Sequence, residues 1–312
     1  MNITYKNSDI KESDLLNVLK LWNDEVGLVY PIANNSFYQN VINYDDKNVM
    51  IAFDDKLVVG FIILKRFDDN TLVDYTNDLF ISLFFVSKKY RKNGIGTKLF
   101  EYAESIKGER KLVIGKEINN FFPGVPTDFD NLTDVWLYNR GFIGTRYTHD
   151  LIARKPIKYE IVNKDVTYVY CDEARKEELI NFCIKNNWKR WALEVKTYFE
   201  TKGKNDDNAY IVGLLDNKII SFIRINDSSM DLSSYNILFK ERFEKLGGIG
   251  PLGVDRESRK TGLGKDIISK GIEALEQRKV SEIMIDWTGL MGLYYKFGFE
   301  VWKSYKYMEK PN

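Results

Sequence analysis

Histidine is almost missing from this chain. Its 312 residues include one histidine, His149, and two cysteines, Cys171 and Cys183. A lone histidine without a CxxC pair leaves no Cys/His set for zinc, and no Asp/Glu cluster has calcium-loop spacing, so no metal site is expected. Two cysteines do not make a disulfide framework, which makes a cytoplasmic location the default expectation. Net charge is also lacking: 46 basic against 45 acidic residues leave +1. Such a balance offers no long-range field for nucleic acid or an anionic membrane. No stretch approaches the roughly 18 uninterrupted apolar residues of a membrane span. Met1 leads into Asn-Ile-Thr-Tyr-Lys without the positive-then-apolar order of a signal peptide. No Walker GxxxxGK[ST] and no nucleophile-elbow GxSxG occurs, and no Rossmann GxGxxG follows the first predicted strand.

What is present is a globular composition, 44% hydrophobic and 29% charged, in a chain long enough for two domains of about 150 residues. It also carries one short phrase twice: Arg91-Lys92-Asn93-Gly94-Ile95-Gly96 and Arg259-Lys260-Thr261-Gly262-Leu263-Gly264. Each follows an apolar stretch ending in valine, Val86 or Val254. Each runs into a helical pattern, Thr97 to Lys107 or Lys265 to Gln277.

The surrounding order repeats as well. In the first half the patterning predicts a strand at Ile3 to Lys6 and a helix over Glu12 to Trp22 capped by Asp9 or Ser13. A helical segment near Ser36 to Tyr44 follows, then strands at Val49 to Phe53 and Leu57 to Leu64 around an Asp54-Asp55 turn. A polar loop is expected at Asp68 to Asn77, a strand at Leu79 to Val86, another at Lys111 to Ile114, and a helix over Leu132 to Asn139. After Pro156 come helices at Glu173 to Asn186 and Trp188 to Thr201. Strands follow at Ala209 to Leu215 and Lys218 to Ile225, around an Asp216-Asn217 turn. The second motif is succeeded by a strand at Glu282 to Trp287 and a helix at Leu290 to Phe297. The expectation is an α+β chain of two tandem domains, 1–155 and 156–312, joined near Lys155 to Lys158. Each is a mixed, mainly antiparallel sheet flanked by helices.

The chemistry of the repeated turn follows from backbone geometry. A helix start leaves about four amide hydrogens unpaired and carries the positive end of the helix dipole. Glycines let a ligand come close, and the pairs Arg91/Lys92 and Arg259/Lys260 offer charge-assisted hydrogen bonds to phosphate oxygens. A pyrophosphate is the natural ligand.

At these residues the chain resembles the GNAT superfamily of acetyl-CoA-dependent N-acetyltransferases, as a tandem member. The resemblance implies two GNAT-like (acyl-CoA N-acyltransferase) domains with acetyl-CoA (coenzyme A) as cofactor. It places coenzyme contacts at Val86, Arg91, Lys92, Asn93, Gly94, Ile95 and Gly96, and again at Gly253, Val254, Arg259, Lys260, Thr261, Gly262, Leu263 and Gly264. The family's later signature is met by Leu293-Tyr294-Tyr295-Lys296-Phe297-Gly298-Phe299, putting Tyr294 where many members keep a general acid for the leaving thiolate. The corresponding run, Trp136-Leu137-Tyr138-Asn139-Arg140-Gly141-Phe142, has leucine at that position. Tyr138 is one residue off, and one step turns a helical side chain by about 100°. The resemblance thus implies a catalytic second domain and a first domain degenerate in catalysis.

The inferred reaction is direct attack of an amine on the coenzyme thioester, with backbone amide near Gly253 to Asp255 polarising the carbonyl. Asp286 is the candidate base, Asp255 a weaker one. Cys171 and Cys183 read as buried, and His149 as structural or at the surface. Trp188, Trp191, Tyr198 and Phe199 either line an acceptor pocket or belong to the core. The loop Asn119 to Pro126, with Phe121 and Phe122, either plugs the first acceptor side or packs structurally. The expected partner is a small-molecule or peptide amine, with no nucleic acid and no membrane. Two other readings stay open: both domains active, or a non-catalytic coenzyme A-binding protein.

Overall fold

Apolar alternation and helical spacing place most elements. The structure is a computed structural model that describes residues 2–68, 71–129 and 131–312. The loop expected at Asp68 to Asn77 includes residues 69 and 70, which lie outside the described residues. The first elements in chain order are β1 (Ile3–Lys6), α1 (Glu12–Val26), α2 (Asn34–Phe37), β2 (Lys47–Asp54), β3 (Leu57–Lys65) and β4 (Asp78–Val86). Next come α3 (Ile95–Ile106), β5 (Lys111–Ile114), β6 (Val125–Pro126), α4 (Asn131–Tyr138) and β7 (Ile143–Ala153). They are followed by β8 (Thr167–Tyr170), α5 (Lys176–Lys185), α6 (Lys189–Thr201), β9 (Tyr210–Leu215), β10 (Lys218–Asp227) and β11 (Leu246–Val254). The last are α7 (Leu263–Gln277), β12 (Glu282–Thr288), α8 (Met291–Tyr294) and β13 (Glu300–Lys310).

Two local expectations need correction. Neither Asp9 nor Ser13 caps α1; Lys11 holds the cap position and its amide donates to Asp14 Oδ2 at 2.9 Å. An acidic residue inside the first turn reaches back and does the work of a cap. The β2–β3 turn is Asp55-Lys56, one residue later than expected, because Asp54 still pairs with Leu57. Asp55 there takes a left-handed φ of 54°.

The chain forms two compact units: residues Met1–Asn70, Asp74–Thr148 and Lys303–Asn312 in unit 1, Thr71–Val73 and His149–Trp302 in unit 2. A boundary near Lys155 to Lys158 follows sequence order; the compact units depart from it at both ends. In unit 1, β1 to β4 are antiparallel neighbours, β4 runs parallel to β5, and β5 is closed by Glu309 and Lys310 of β13. In unit 2, β8 to β11 are antiparallel neighbours, β11 runs parallel to β12, and β12 is closed by the His149–Ala153 end of β7. Each sheet therefore has the same order, and each takes its last strand from the other half of the sequence.

Apolar faces of α3 (Ile95, Leu99, Ala103) and α7 (Leu263, Ile267, Ile268, Ile272) lie in the cores of their own units. A second core in unit 2 gathers α5, α6, β9 and β10 around Leu179, Val195, Tyr210 and Phe222.

What positions the site is a bulge at the same register in each sheet. Strand β4 pairs with β5 only from Asp78 to Ile81. Next, Ser82 is skipped in the pairing with β3, where Ile63 faces Leu83 and Leu64 faces Ile81. Strand β11 leaves β12 after Gly248, and its pairing with β10 shifts across Gly250-Pro251. An unpaired extra residue bends and twists its strand, so each parallel pair splays into a V just past its last hydrogen bonds.

Candidate functional site

Both glycine turns close the V of their own unit and have the same construction. Lys92 and Lys260 take left-handed φ values of 64° and 67°, and Gly94 and Gly262 follow at 79° and 94°. Left-handed lysine is uncommon; its recurrence at one register marks a constrained turn. The backbone amides that open α3 and α7 have no intrahelical acceptors and point from a concave turn suited to an anion. The arginines also have a role inside the protein. Arg91 Nε donates to Val86 O at 3.1 Å and Arg259 Nε to Val254 O at 3.3 Å. Each guanidinium braces its turn against the preceding strand, spending one donor inside the protein.

In unit 1 the V opens into a cavity of about 440 Å³, lined at its mouth by Arg91, Lys92, Gly94, Gly96 and Thr97. Val86 also lines it, whereas Asn93 and Ile95 do not; Ile95 is buried in the core. A side chain at Gly94 would meet nothing within 4 Å, so the cradle is open. Deeper walls come from Leu83, Phe84, Phe85, Trp136 and Leu137. Tyr138 is 44% exposed and lies beside Lys306 Nζ, 5.0 Å from its ring. Phe121 packs on Phe37, while Phe122 meets Trp22 and Tyr30 and lines the cavity.

In unit 2 the V holds acidic chemistry. Four residues beyond its first paired residue, Glu282, strand β12 presents Asp286; four beyond Lys111, just past the end of β5, stands Gly115. The strand also bulges here, since Ile285 faces Leu151 and Thr288 faces His149. Trp287 in that bulge has a φ of 49°, and its amide donates to Asp150 Oδ1 at 3.0 Å. A left-handed tryptophan is strained backbone held by its surroundings.

Asp286 keeps some accessible surface although protein crowds it closely, as for a group at the foot of a narrow cleft. Burial first, then the charges of Asp150 and Glu194, push its carboxyl up to about 7, against a smaller opposing hydrogen bond from Asn236. Asn236 Nδ2 also donates to Gly250 O at 3.3 Å, and a side chain at Gly250 would lie 3.5 Å from Asp286 Oδ1. Around this carboxylate, Arg190 pairs with Glu194 Oε1 at 3.0 Å, donates to Tyr235 Oη at 3.0 Å, and lies 4.6 Å from the Trp287 ring. Tyr294 is buried against Phe299, and burial followed by the Asp286 charge raises its phenol above the ordinary range.

The remaining sequence candidates have plain positions. Asp255 is buried beside Lys185, 3.6 Å away. Burial pushes Cys171 and Cys183 up to about 12, which keeps both thiols protonated and unreactive. Tyr198 and Phe199 are core residues, with Trp188 and Trp191 packed against them. Gly253 must be glycine: a Cβ would sit 2.3 Å from the Trp188 ring. Gly264 has room, with Val254 at 3.9 Å, whereas a Cβ on Gly262 would meet Val162 at 2.8 Å. Lys260, Thr261 and Leu263 complete the turn, with Thr261 Oγ1 donating to Ser258 O at 2.8 Å and Leu263 buried. Sequence reading missed Asp150, Glu194 and Asn236, which lie far from Asp286 along the chain and belong to no motif. Among the described residues no His/Cys/Asp/Glu group has metal-site geometry, and no helix is long and apolar enough to cross a membrane.

Comparison with known proteins places this architecture. The family model described as Acetyltransferase (GNAT) family matches residues 15–120 and 171–299, together more than half of the chain. A search of curated proteins returned no match. Among solved structures, the chain is similar to a GCN5-related glucosamine N-acetyltransferase region of a fungal multi-domain GH3 β-N-acetylglucosaminidase, with a TM-score of 0.85 and 22% identity. It covers 99% of this chain and 38% of that one, so the chain spans well under half of that protein. It is also similar to a tandem GNAT protein from the clavulanic acid biosynthesis pathway (TM-score 0.71, 13% identity, 99% and 98% covered). A GCN5-related N-acetyltransferase from Sphaerobacter thermophilus gives 0.69 at 12% identity, with 99% and 95% covered. These likenesses agree on the fold, a tandem pair of α+β units with mixed, mainly antiparallel sheets, a fold that implies an acyl-coenzyme A site in general. With two family matches in the order of its two glycine turns, the chain belongs to the GNAT family of acetyltransferases.

Proposed function

We propose that unit 2 transfers an acetyl group from acetyl-CoA to the primary amine of a small polar acceptor, with Asp286 as base and Tyr294 as acid. The observation carrying this reading is the Asp286 carboxyl, lodged in the throat of the V and held near 7. A base of that strength accepts a proton from the acceptor's ammonium at neutral pH, freeing the amine to attack, without being wholly protonated itself. The coenzyme supplies the acetyl thioester. Its pyrophosphate is assigned to the amides of Leu263 and Gly264 with Lys260 beside them, and its arm to Gly253 and Val254. Tyr294, raised by burial, keeps its proton across the working pH range and is available to donate to sulfur.

The register of unit 1 supports a division of labour. Gly115 stands where unit 2 has Asp286, and Leu137 where it has Tyr294, so the first unit holds ligand without base or acid. Its assigned coenzyme contacts are Val86, Arg91, Lys92 and Gly94 to Gly96. For the acceptor, Asp150, Glu194, Asn236 and Tyr235 gather hydrogen-bonding groups near Asp286. Together with the likeness to a glucosamine N-acetyltransferase region, this makes glucosamine the first amine to test.

Free-thiol release with acetyl-CoA and a panel of amines tests the reading. Asp286→Asn and Tyr294→Phe are each expected to lower turnover by about 10²-fold, and Tyr138→Phe to leave it unchanged. Full activity in Asp286→Asn would overturn the assignment. A second reading, a coenzyme-binding protein without turnover, draws on Val162 packing against Gly262 while the unit 1 cradle stays open. It requires calorimetric binding of acetyl-CoA with no thiol release for any amine.

A further inference from the structure

The cavity of unit 1 has features that acetyl-CoA alone does not use. Past the splayed strands it continues to a chamber walled by Trp22, Phe85, Phe122 and Phe129. These rings contact one another: Trp22 lies 5.8 Å from both Phe85 and Phe122, and stacks on Phe129 at 6.0 Å. The Trp22 indole N–H is already spent on Tyr30 O at 2.8 Å, so the chamber receives only the apolar face of the ring. The wall is fastened: Thr127 N donates to Ser304 O at 2.9 Å, and Asp128 is bound by Lys303 and Tyr30. Charged side chains line the cavity only at the mouth, as Arg91 and Lys92.

Three hydroxyl residues, Ser82, Thr97 and Thr133, also line the cavity. Ser82, the bulge residue of β4, is 4% exposed, lines the cavity, and its hydroxyl has no hydrogen-bond partner. A buried hydroxyl left unsatisfied is costly, and this oxygen is itself closed off from the cavity. The sequence of environments is therefore a cationic mouth with open amides, a narrow stretch between the splayed strands, and an aromatic chamber. That order matches a molecule with a phosphate head, a linking arm, and an apolar end larger than a methyl group.

We propose that unit 1 is a non-turnover binding site for an acyl-coenzyme A whose acyl group is larger and more apolar than acetyl. Arg91, Lys92 and the first amides of α3 take the phosphates, and the aromatic chamber takes the acyl chain. The bound thioester is retained, since Gly115 and Leu137 supply neither a base nor an acid. The proposal rests on the coenzyme part of the reading above and not on catalysis in unit 2.

Calorimetry and native mass spectrometry of the full chain, without any amine, test it using octanoyl-CoA, acetyl-CoA, coenzyme A and octanoate. Each buried methylene favours binding, so octanoyl-CoA is expected to occupy unit 1 at least about tenfold more tightly than acetyl-CoA. Gly96→Asp, at a helical position with ordinary neighbours at 3.6 Å and beyond, should abolish that binding. Lys92→Glu, exposed at the mouth, should weaken it without threatening the fold. Gly264→Asp in unit 2 and Asp286→Asn should leave it intact, whichever way the turnover assay falls, and the ligand should be recovered unhydrolysed. Equal affinity for the two thioesters at this site would overturn the proposal. So would binding that survives both mouth variants, thiol release that Gly96→Asp removes, or octanoate alone binding as well as its thioester.

Discussion

Asp286 occupies a position where an ionised carboxylate costs stability. Its folded value is near 7, against an ordinary 3.8. Between those values the folded protein keeps a proton that the unfolded chain has released, so stability declines as pH climbs from about 4 to 7. Asp286→Asn removes the ionisation, and its thermal midpoint at pH 8 is expected to exceed the parent's by a few degrees. The difference should vanish near pH 4; a midpoint unchanged at pH 8 would contradict the buried, charged site. Asp150 exerts the larger of the two charge effects, so Asp150→Asn should move the acid limb of kcat/KM to lower pH. An asparagine still offers an oxygen to the Trp287 amide, which separates the charge effect from loss of the bulge. A limb that stays in place would remove Asp150 from the electrostatics of the site.

At the scale of elements, the segment from Ile157 to Asn163 is tied along α7. Ile157 N donates to Phe297 O at 2.9 Å and Tyr159 N to Ser269 Oγ at 3.0 Å. Asp266, 1% exposed, accepts from Val162 N at 3.2 Å, Asn163 N at 2.9 Å and Asn163 Nδ2 at 2.7 Å. Asp266→Ala leaves those donors without an acceptor, and a loss of about 2 kcal/mol is expected in denaturant unfolding. Hydrogen exchange should quicken first at residues 162 and 163; unaltered protection there would show that other contacts hold the segment.

The same elements show what a sequence can carry. Helices α3 and α7 were readable because four-residue spacing puts Ile95, Leu99 and Ala103, or Leu263 and Ile267, on one face. The turns were readable because glycine stood where positive φ was needed. The bulges at Ser82 and Gly250-Pro251 were not, since a bulge exists only relative to its partner strand. The surroundings of Asp286 were hidden for a related reason. Asp150 and Glu194 reach it through pairing and packing, and neither has a periodic or motif signal. The bracing role of Arg91 and Arg259 depends on where Val86 and Val254 turn their carbonyls, which a motif does not record.

For the whole molecule, the exchanged last strands set a strong expectation. Residues Lys303–Asn312 belong to unit 1, where Glu309 and Lys310 close β5, and Tyr305 and Lys306 pair with β6. Removing everything after Trp302 should leave β5 with an open edge and abolish ligand binding in unit 1. The near-ultraviolet signal of unit 2 should largely persist. A fusion that appends 303–312 directly to 1–148 should recover a folded unit 1, and 1–155 alone should not. A stably folded 1–155 fragment would contradict the division into units.

That exchange also orders events on the ribosome. Unit 1 starts first and finishes last: its residues up to Thr148 emerge, and then all of unit 2 is made before Lys303 appears. At roughly 5–20 residues per second, the first sheet waits on the order of ten seconds with β5 unclosed. Its apolar cavity wall is half built during that interval, open to chaperones and to mispairing with any passing strand. The second unit suffers no such delay, because the His149–Ala153 strand is already waiting when β12 is born.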